Sequence, residues 1–459
     1  MKNPLLVPEL RELVAEGQFE ALREFCETTH PVVVAEMLSA LEAAEAWEIM
    51  RHAAPALQAE VFTNLDQDRQ VELLGILSRD DMARIVADMP PDDRADLFKK
   101  LPKRRREALL PALAQAERED IRRLASYAER TAGAIMTSDY ATLAPDQTVA
   151  QSLERLRREA PDKETIYYAY VVDEQRRLLG QVSLKDLILA RPDRLVRDVM
   201  HPDVISVRVN DDQEEAARRI QKFDLLALPV VDESGALVGI ITHDDALDVI
   251  VQEQTEDIEK LMAITGSHEA AGYLRTPSWM HFKRRSVWVV VLAALGLVSG
   301  YIVQSFEGLL LQFAVLATFM PMLADTGGNT GSQSATLVIR ALALKEISPR
   351  DLLRVLLKEL QVALMLGLLL GALAWGRVLL FHGRASLTGG HPLWLIGVAV
   401  AAALAIQVVT STLIGAVLPM AAAKLKFDPA VVASPALTTI VDITGLFIYF
   451  TTVKLILQV

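Results

Sequence analysis

The sequence holds a single cysteine, Cys26, which rules out an intrachain disulfide and any cysteine-based metal cluster. Its opening, MKNPLLVPEL, has an early proline and turns acidic before an apolar core of about 7–15 residues can develop, so no signal peptide is expected. A reducing cytosol is the environment this implies for the front of the chain. No nucleophile–base pair, phosphate loop or metal triad is legible, which argues against an enzyme. Acids are scarce in one half only. Of 59 acidic and 47 basic residues, 7 and 13 fall from Lys283 onward, leaving 52 and 34 before it. The net charge of −12 therefore divides into −18 in front and +6 behind. So negative a front half disfavours nucleic acid and favours cations as partners.

What the back half has is apolar length. Stretches near 286–304, 308–339, 359–381, 393–421 and 430–457 reach the roughly 20 residues a bilayer requires, and within lipid each must be helical. Lys283, Arg284 and Arg285 precede the first span. Arg340, Lys345, Arg350, Arg354 and Lys358 follow the second, and Lys424 and Lys426 the fourth. All three clusters share one side if the spans number five, the front half is cytosolic and the C-terminus lies outside.

A charge inside a span costs about 2.5–3.5 kcal/mol on insertion scales. Asp442 lies mid-span, with Ser434 and Thr438 on the same face at i−8 and i−4. In the second span Asn329, Ser332, Gln333 and Thr336 share a face, and Gly327, Gly328 and Gly331 permit close helix approach. Gln407, Thr410 and Ser411 form a third stripe, for which interhelical glue outranks an ion path. For Asp442 a pore wall outranks glue, because its span offers no counter-charge near it. Asp325 reads equally as pore mouth or as the cap of a broken helix. Oxygen ligands without His or Cys suit a hard cation, and magnesium, which sheds water reluctantly, suits one carboxylate among hydroxyls and amides. Calcium, manganese and cobalt fit the same argument. If two subunits met about the pore, two Asp442 carboxylates would face one ion.

The front half contains a repeat. VVDEQRRLLGQVSLKDLI at 171–188 recurs as VVDESGALVGIITHDDAL at 230–247, pairing Gly180, Ser183 and Asp186 with Gly239, Thr242 and Asp245. Strand, turn, strand and Asp-opened helix make this look like a tandem CBS pair of α+β type. Tyr168, Lys185 and Asp186 stand where ATP could stack and bind its ribose, or else they are a core tyrosine and a strand-to-helix cap. Upstream, short amphipathic helices at about twelve-residue spacing predict a helical superhelix. The expected order is a superhelix over 1–129, CBS domains over 130–193 and 194–256, a connecting helix over 257–282 and a five-helix transmembrane domain over 283–459. Acids gather at Asp92, Asp93 and Asp96, at Asp211, Asp212, Glu214 and Glu215, and from Asp244 to Asp257. Singly they are solvated caps; together they would repel one another on domain closure unless cations intervened. Asp428, in the loop before the last span, could join such a bridge.

This order of parts, with DTGGNTGSQSAT at 325–336, DPAVVASP at 428–435 and TTIVDITGLFIYF at 438–450, resembles the MgtE family of magnesium transporters over the whole chain. The resemblance implies a homodimer in a plasma (inner) membrane, with one central pore. It implies a hydrated magnesium ion at Asp442 and closure at high cytosolic magnesium. It also implies sensor roles for Asp93, Asp96, Asp212, Glu214, Asp224, Asp245, Asp248, Glu253, Glu256, Asp257 and Asp428. Ser332 and Ser434 stand where Asn is often found, and Lys185 and Leu225 suit ATP less well than the Arg and Phe of some members. The competing readings are a carrier for another divalent cation such as cobalt or manganese, an ion-coupled carrier, and a non-conducting sensor.

Overall fold

The computed structural model describes residues 7–262, 264, 273, 276–381, 391–430 and 435–459. The chain forms two compact units, Met1–Glu253 and Gln254–Val459.

The first unit opens with ten short helices, from α1 (Val7–Ala15) to α10 (Gln115–Leu124). Prolines at the first helical turn, as at Pro31, Pro55 and Pro91, supply a preset φ where no amide donor is needed. Successive helices pack on those two places along, around Leu22, Leu38, Phe62, Leu73 and Leu74, none of which meets solvent. This is the expected superhelix. Its eighth helix, α8 (Pro91–Lys100), sends Ala95 into the core of the second repeat.

The repeat folds as two matching sheets. β1 (Tyr140–Leu143), β2 (Thr165–Val172) and β3 (Leu178–Ser183) form one; β4 (Val207–Arg208), β5 (Ala227–Val231) and β6 (Leu237–Thr242) form the other. In each the first pair is parallel and the second antiparallel. Helices α11 (Val149–Glu159) and α12 (Leu184–Leu189) serve the first copy, α13 (Gln213–Phe223) and α14 (His243–Leu261) the second. Gly180 and Gly239 fill equivalent places: a Cβ on either would strike Met200 and the His201 carbonyl, or Met136 and the Thr137 carbonyl. Helix α14 runs unbroken past residue 256, and much of the expected connecting segment beyond it lies outside the described residues.

The second unit holds α15 (Ser278–Ser305), α16 (Glu307–Gln312), α17 (Met320–Ala343), α18 (Leu352–Phe381), α19 (Leu393–Lys424) and α20 (Pro435–Leu457). Among the described residues four helices, α15, α18, α19 and α20, are long and apolar enough to cross a membrane. The expected second span is not one helix. It breaks into α16, a 3₁₀ segment at Ala314–Phe319, and α17. Pro321, in the first turn of α17, has no N–H to donate and forces the break. At 24 residues α17 has the length to span, but its polar run takes it out of the apolar class. The Tyr449 hydroxyl of α20 donates to the Leu316 carbonyl at 2.9 Å, satisfying one of the 3₁₀ segment's backbone groups.

Glycines set how closely α17 meets α19. A Cβ on Gly415 would lie 2.3 Å from the Gly331 carbonyl oxygen, so the two backbones touch. Gly415→Val should cost at least about 1–3 kcal/mol of overpacking and lower the thermal midpoint of the detergent-solubilised protein. Gly376→Ala, where a Cβ meets nothing within 4 Å, should leave it unchanged or raise it slightly. Equal midpoints for the two variants would remove the Gly331–Gly415 contact as a determinant of the bundle.

Candidate functional site

In the membrane unit α17 has two faces. Leu323, Gly327, Gly328, Thr330, Gly331 and Ser334 are buried against the neighbouring helices. Asp325, Asn329 and Thr336 are exposed, and Ser332 is half-buried between the faces. The Asn329 amide donates to Asp325 Oδ1 at 3.2 Å, so those two share one outward row. On α20, Thr438 and Asp442 are half-buried, and Asp442 Oδ1 is enclosed with no hydrogen-bond partner. A Cβ on Gly328 would sit 3.2 Å from Thr438 Cγ2, which sets the polar rows of α17 and α20 side by side. Ser434 lies outside the described residues.

The stripe on α19 points elsewhere. Gln407 and Ser411 are buried in the packing, and the Thr410 hydroxyl returns to the Ile406 carbonyl at 2.9 Å. The α19 stripe is therefore mostly packed inside, whereas that of α17 is largely exposed and Thr438 and Asp442 of α20 are half-buried.

The soluble acids divide into separate groups. The largest forms where α8 meets the second repeat. Burial first, then Asp92, Asp245, Asp96 and Glu164, pushes the Asp93 carboxyl up to about 8. Burial and the charge of Asp92 lift Asp245 to about 7, against the opposing hydrogen bond from the Thr242 hydroxyl. Asp92, also raised chiefly by burial, has an enclosed Oδ1 with no partner. Glu164 is exposed as a residue, yet protein crowds its carboxyl; desolvation, then Asp245, Asp244 and Asp139, push it up to about 6. Asp96 has a counter-ion, with Lys99 Nζ at 3.0 Å. Neither Glu164 nor Asp139 stands in an acidic run, so sequence spacing did not mark them.

The other sensor candidates are already engaged or exposed. Asp212 caps α13 by accepting from the Glu214 amide at 2.8 Å, and Glu214 holds Arg218. Asp224 ends α13 in the left-handed region at φ 52°, and Asp248 and Asp257 are exposed. Glu253 binds Arg130 at 3.0 Å and the Gln213 amide at 2.8 Å. In the second unit Lys260 Nζ lies 2.8 Å from buried Glu256 and 3.0 Å from Asp428. Burial works against charge on Lys260, but its hydrogen bonds to Glu256 and Asp428 outweigh it and raise the pKa. Next to it Leu261 packs against Ala335, Leu437 and Val441, on α17 and α20. Among the described residues no three Asp, Glu, His or Cys side chains converge closely enough to cage a metal ion. What the fold does bring together is a loose set of under-compensated carboxylates around Asp93.

Of the nucleotide candidates, Tyr168 pairs with Ser183 across β2 and β3 and packs with Tyr140 and Tyr170. Asp186 accepts from the Ser183 hydroxyl at 2.5 Å, closing a capping box, and lies 3.5 Å from His201, a neighbour sequence spacing did not suggest. Lys185 is exposed.

A carboxylate-rich soluble unit joined to apolar helices, one of which carries a half-buried aspartate, is the arrangement of an integral membrane transporter of divalent cations. Comparison with known proteins bears this out. Residues 320–452 match the family described as "Divalent cation transporter", 29–130 the MgtE intracellular N domain, and 132–193 and 196–252 the CBS domain. The magnesium transporter MgtE of Thermus thermophilus is 41% identical over 459 residues, 99% of each chain. That of Bacillus subtilis is 37% identical over 327 residues, 71% of this chain and 70% of its own. The first unit resembles the soluble part of a magnesium transporter (34% identity, TM-score 0.51, 54% of this chain and 97% of that one). It also resembles the cytosolic domain of the Mg2+ channel MgtE in complex with ATP (40%, TM-score 0.50, 52% and 98%). The chain belongs to the MgtE family of magnesium transporters.

Because the fold raises the carboxyls of Asp92, Asp93 and Asp245 above their usual 3.8, it favours their protonated forms. The stability this brings is complete below pH 3.8 and is lost as pH climbs through about 6 to about 8. In cation-free buffer, hydrogen exchange corrected for intrinsic rate should therefore show protection at 91–100 and 242–250 falling from pH 5 to pH 8, and added Mg2+ should restore it. Protection that stays flat with pH would exclude these carboxylates as the source of repulsion.

Proposed function

We propose that this chain is a magnesium channel that admits Mg2+ from outside and closes when cytosolic Mg2+ is high. Asp442 carries the reading: a carboxylate inside an apolar helix, with one oxygen unpaired and a polar row beside it. A hydrated magnesium ion, bound through few carboxylates and retained waters, supplies the donors and the charge such an oxygen lacks. Ser332, Ser434, Thr438, Asn329, Thr336 and Asp325 would line the same path. Facing lipid, the exposed row on α17 would be costly, so a second copy is the fitting cover, and two Asp442 carboxylates then meet one ion. The basic clusters favour a cytosolic front half and an external C-terminus.

Regulation would draw on Asp93, Asp96 and Asp245, with Asp92 and Glu164 added to the set. Bound Mg2+ would neutralise these like charges. Without it their repulsion opposes closure of α8 on the second repeat, and α14 links that repeat covalently to the membrane helices. Asp212, Glu214, Asp224, Asp248, Glu253 and Asp257 would serve outside that cluster. Glu256 and Asp428 share one lysine, Lys260, which offsets one of their two charges. ATP would lie near Tyr168, Lys185 and Asp186, the site where sequence and fold bring a ring, a cation and a ribose acceptor together.

Purified protein in liposomes, with a Mg2+ gradient and no proton or sodium gradient, should take up Mg2+. Asp442→Ala, folded normally, should transport at least about tenfold less, as loss of the only carboxylate in its span requires. Uptake that needs a second gradient would make the protein a coupled carrier; uptake of cobalt or manganese but not magnesium would change the substrate. In the same assay Lys260→Gln should raise uptake at low internal Mg2+ while high Mg2+ still suppresses it. The charge-swapped pair Lys260→Asp with Asp428→Lys should return to wild-type behaviour.

A further inference from the structure

We infer that Gln407 is a positioning residue of the ion path, a strut between α17 and α20 that sets the spacing of their polar rows and so the discrimination among divalent cations. The inference rests on the reading of Asp442 as the ion's ligand. Gln407 lies near the middle of α19 and is 1% exposed. Its Nε2 donates to the Leu323 carbonyl of α17 at 2.9 Å, across 84 residues of sequence. Two glycines make room for it. A Cβ on Gly327 of α17 would stand 2.4 Å from that nitrogen, and a Cβ on Gly445 of α20 only 2.2 Å away. One amide thus fills a gap that three helices leave between them.

The placement matters because of what is next to it. Val441, whose Cγ1 would lie 2.9 Å from a Cβ on Gly327, immediately precedes Asp442, and Gly445 follows Asp442 by three residues on a neighbouring face. On α17, Gly327 lies two residues after Asp325 and two before Asn329. A change in the bulk or tilt of the amide therefore moves backbone on both sides of the proposed path. Simple packing would be served as well by a leucine of similar size. The amide adds a directional tie to Leu323 and carries a cost: its Oε1 is buried with no partner, and on α19 it is the one such oxygen among the described residues. Ions differ in the width they need, since magnesium passes with much of its water while calcium accepts more protein oxygens at longer distances. Spacing fixed by a strut is a means of choosing between them.

The test is the ratio of Mg2+ to Ca2+ uptake by full-length protein in liposomes, read beside the thermal midpoint in detergent. Gln407→Leu and Gln407→Met, which keep bulk and remove the tie, should shift the ratio by about fivefold or more while the midpoint moves little. Gly445→Ala should shift it as well, by pushing on the amide. Combined with Gln407→Ala, which clears the space, it should return toward the wild-type ratio. Folded variants with the wild-type ratio, or a double variant no closer to wild type than Gly445→Ala alone, would overturn the role of Gln407. Asp442→Ala separates this from failure of the pore reading. If that variant transports normally, the path lies elsewhere; if it is inactive while the Gln407 variants keep the wild-type ratio, only the strut is wrong.

Discussion

Taking a carboxylate out of water costs several kcal/mol unless a cation or a set of donors replaces the lost solvent, and this chain does so in both of its units. In the soluble unit the closure of α8 on the second repeat brings Asp92, Asp93, Asp245 and Glu164 within one another's field. In the membrane unit Asp442 is enclosed on one oxygen without a partner. Among the described residues no lysine or arginine pairs with Asp92, Asp93, Asp245, Glu164 or Asp442, although Lys99 pairs with Asp96 beside the first group. A third arrangement has a lysine: Glu256 and Asp428 share Lys260. The contrast separates carboxylates that have no basic partner among the described residues from a pair that one lysine bridges, offsetting one of its two charges. It also accounts for the lack of a preformed metal cage among the described residues, since like charges held apart by repulsion do not assemble into ligand geometry by themselves.

Much of this was legible in the residues. The repeat declared itself because both copies keep Gly180 and Gly239, Ser183 and Thr242, Asp186 and Asp245 at one constant separation, and each glycine meets the same kind of obstacle. Asp442 stood out because a lone charge in an apolar run is costly wherever it points. The break before α17 was less visible: Ala314–Phe319 is as apolar as a span, and only Pro321 signals that the helix must restart. Lys260 and Asp428 are distant in sequence, and Glu164 opens a strand outside any acidic run, so spacing could suggest neither the pairing nor the cluster. Polar stripes were the least decisive signal. Those on α17 and α19 look alike in sequence, yet one faces outward and the other is packed inside, because Gly331 and Gly415 bring the backbones together and turn the α19 stripe inward.

Close backbone contact and charge placement are linked through this packing. Lipid gives helices no hydrophobic reason to associate, so contact between small residues and a few hydrogen bonds must hold the bundle. Gly327, Gly331, Gly415 and Gly445 supply the contact; Gln407 to Leu323 and Tyr449 to Leu316 supply the bonds. Both bonds end on carbonyls of the broken second segment, one in its 3₁₀ stretch and one near the start of α17. Holding that segment also holds Asp325 and Asn329, which follow it directly. Leu261 packs against the other stretch of the same two helices, on Ala335, Leu437 and Val441, with Lys260 anchoring it to Asp428. Val441 is thus touched from the α14 side and faces Gly327 on the other, one residue from Asp442. Leu261, at the end of α14, therefore packs on the same small cluster as Val441, the residue beside Asp442.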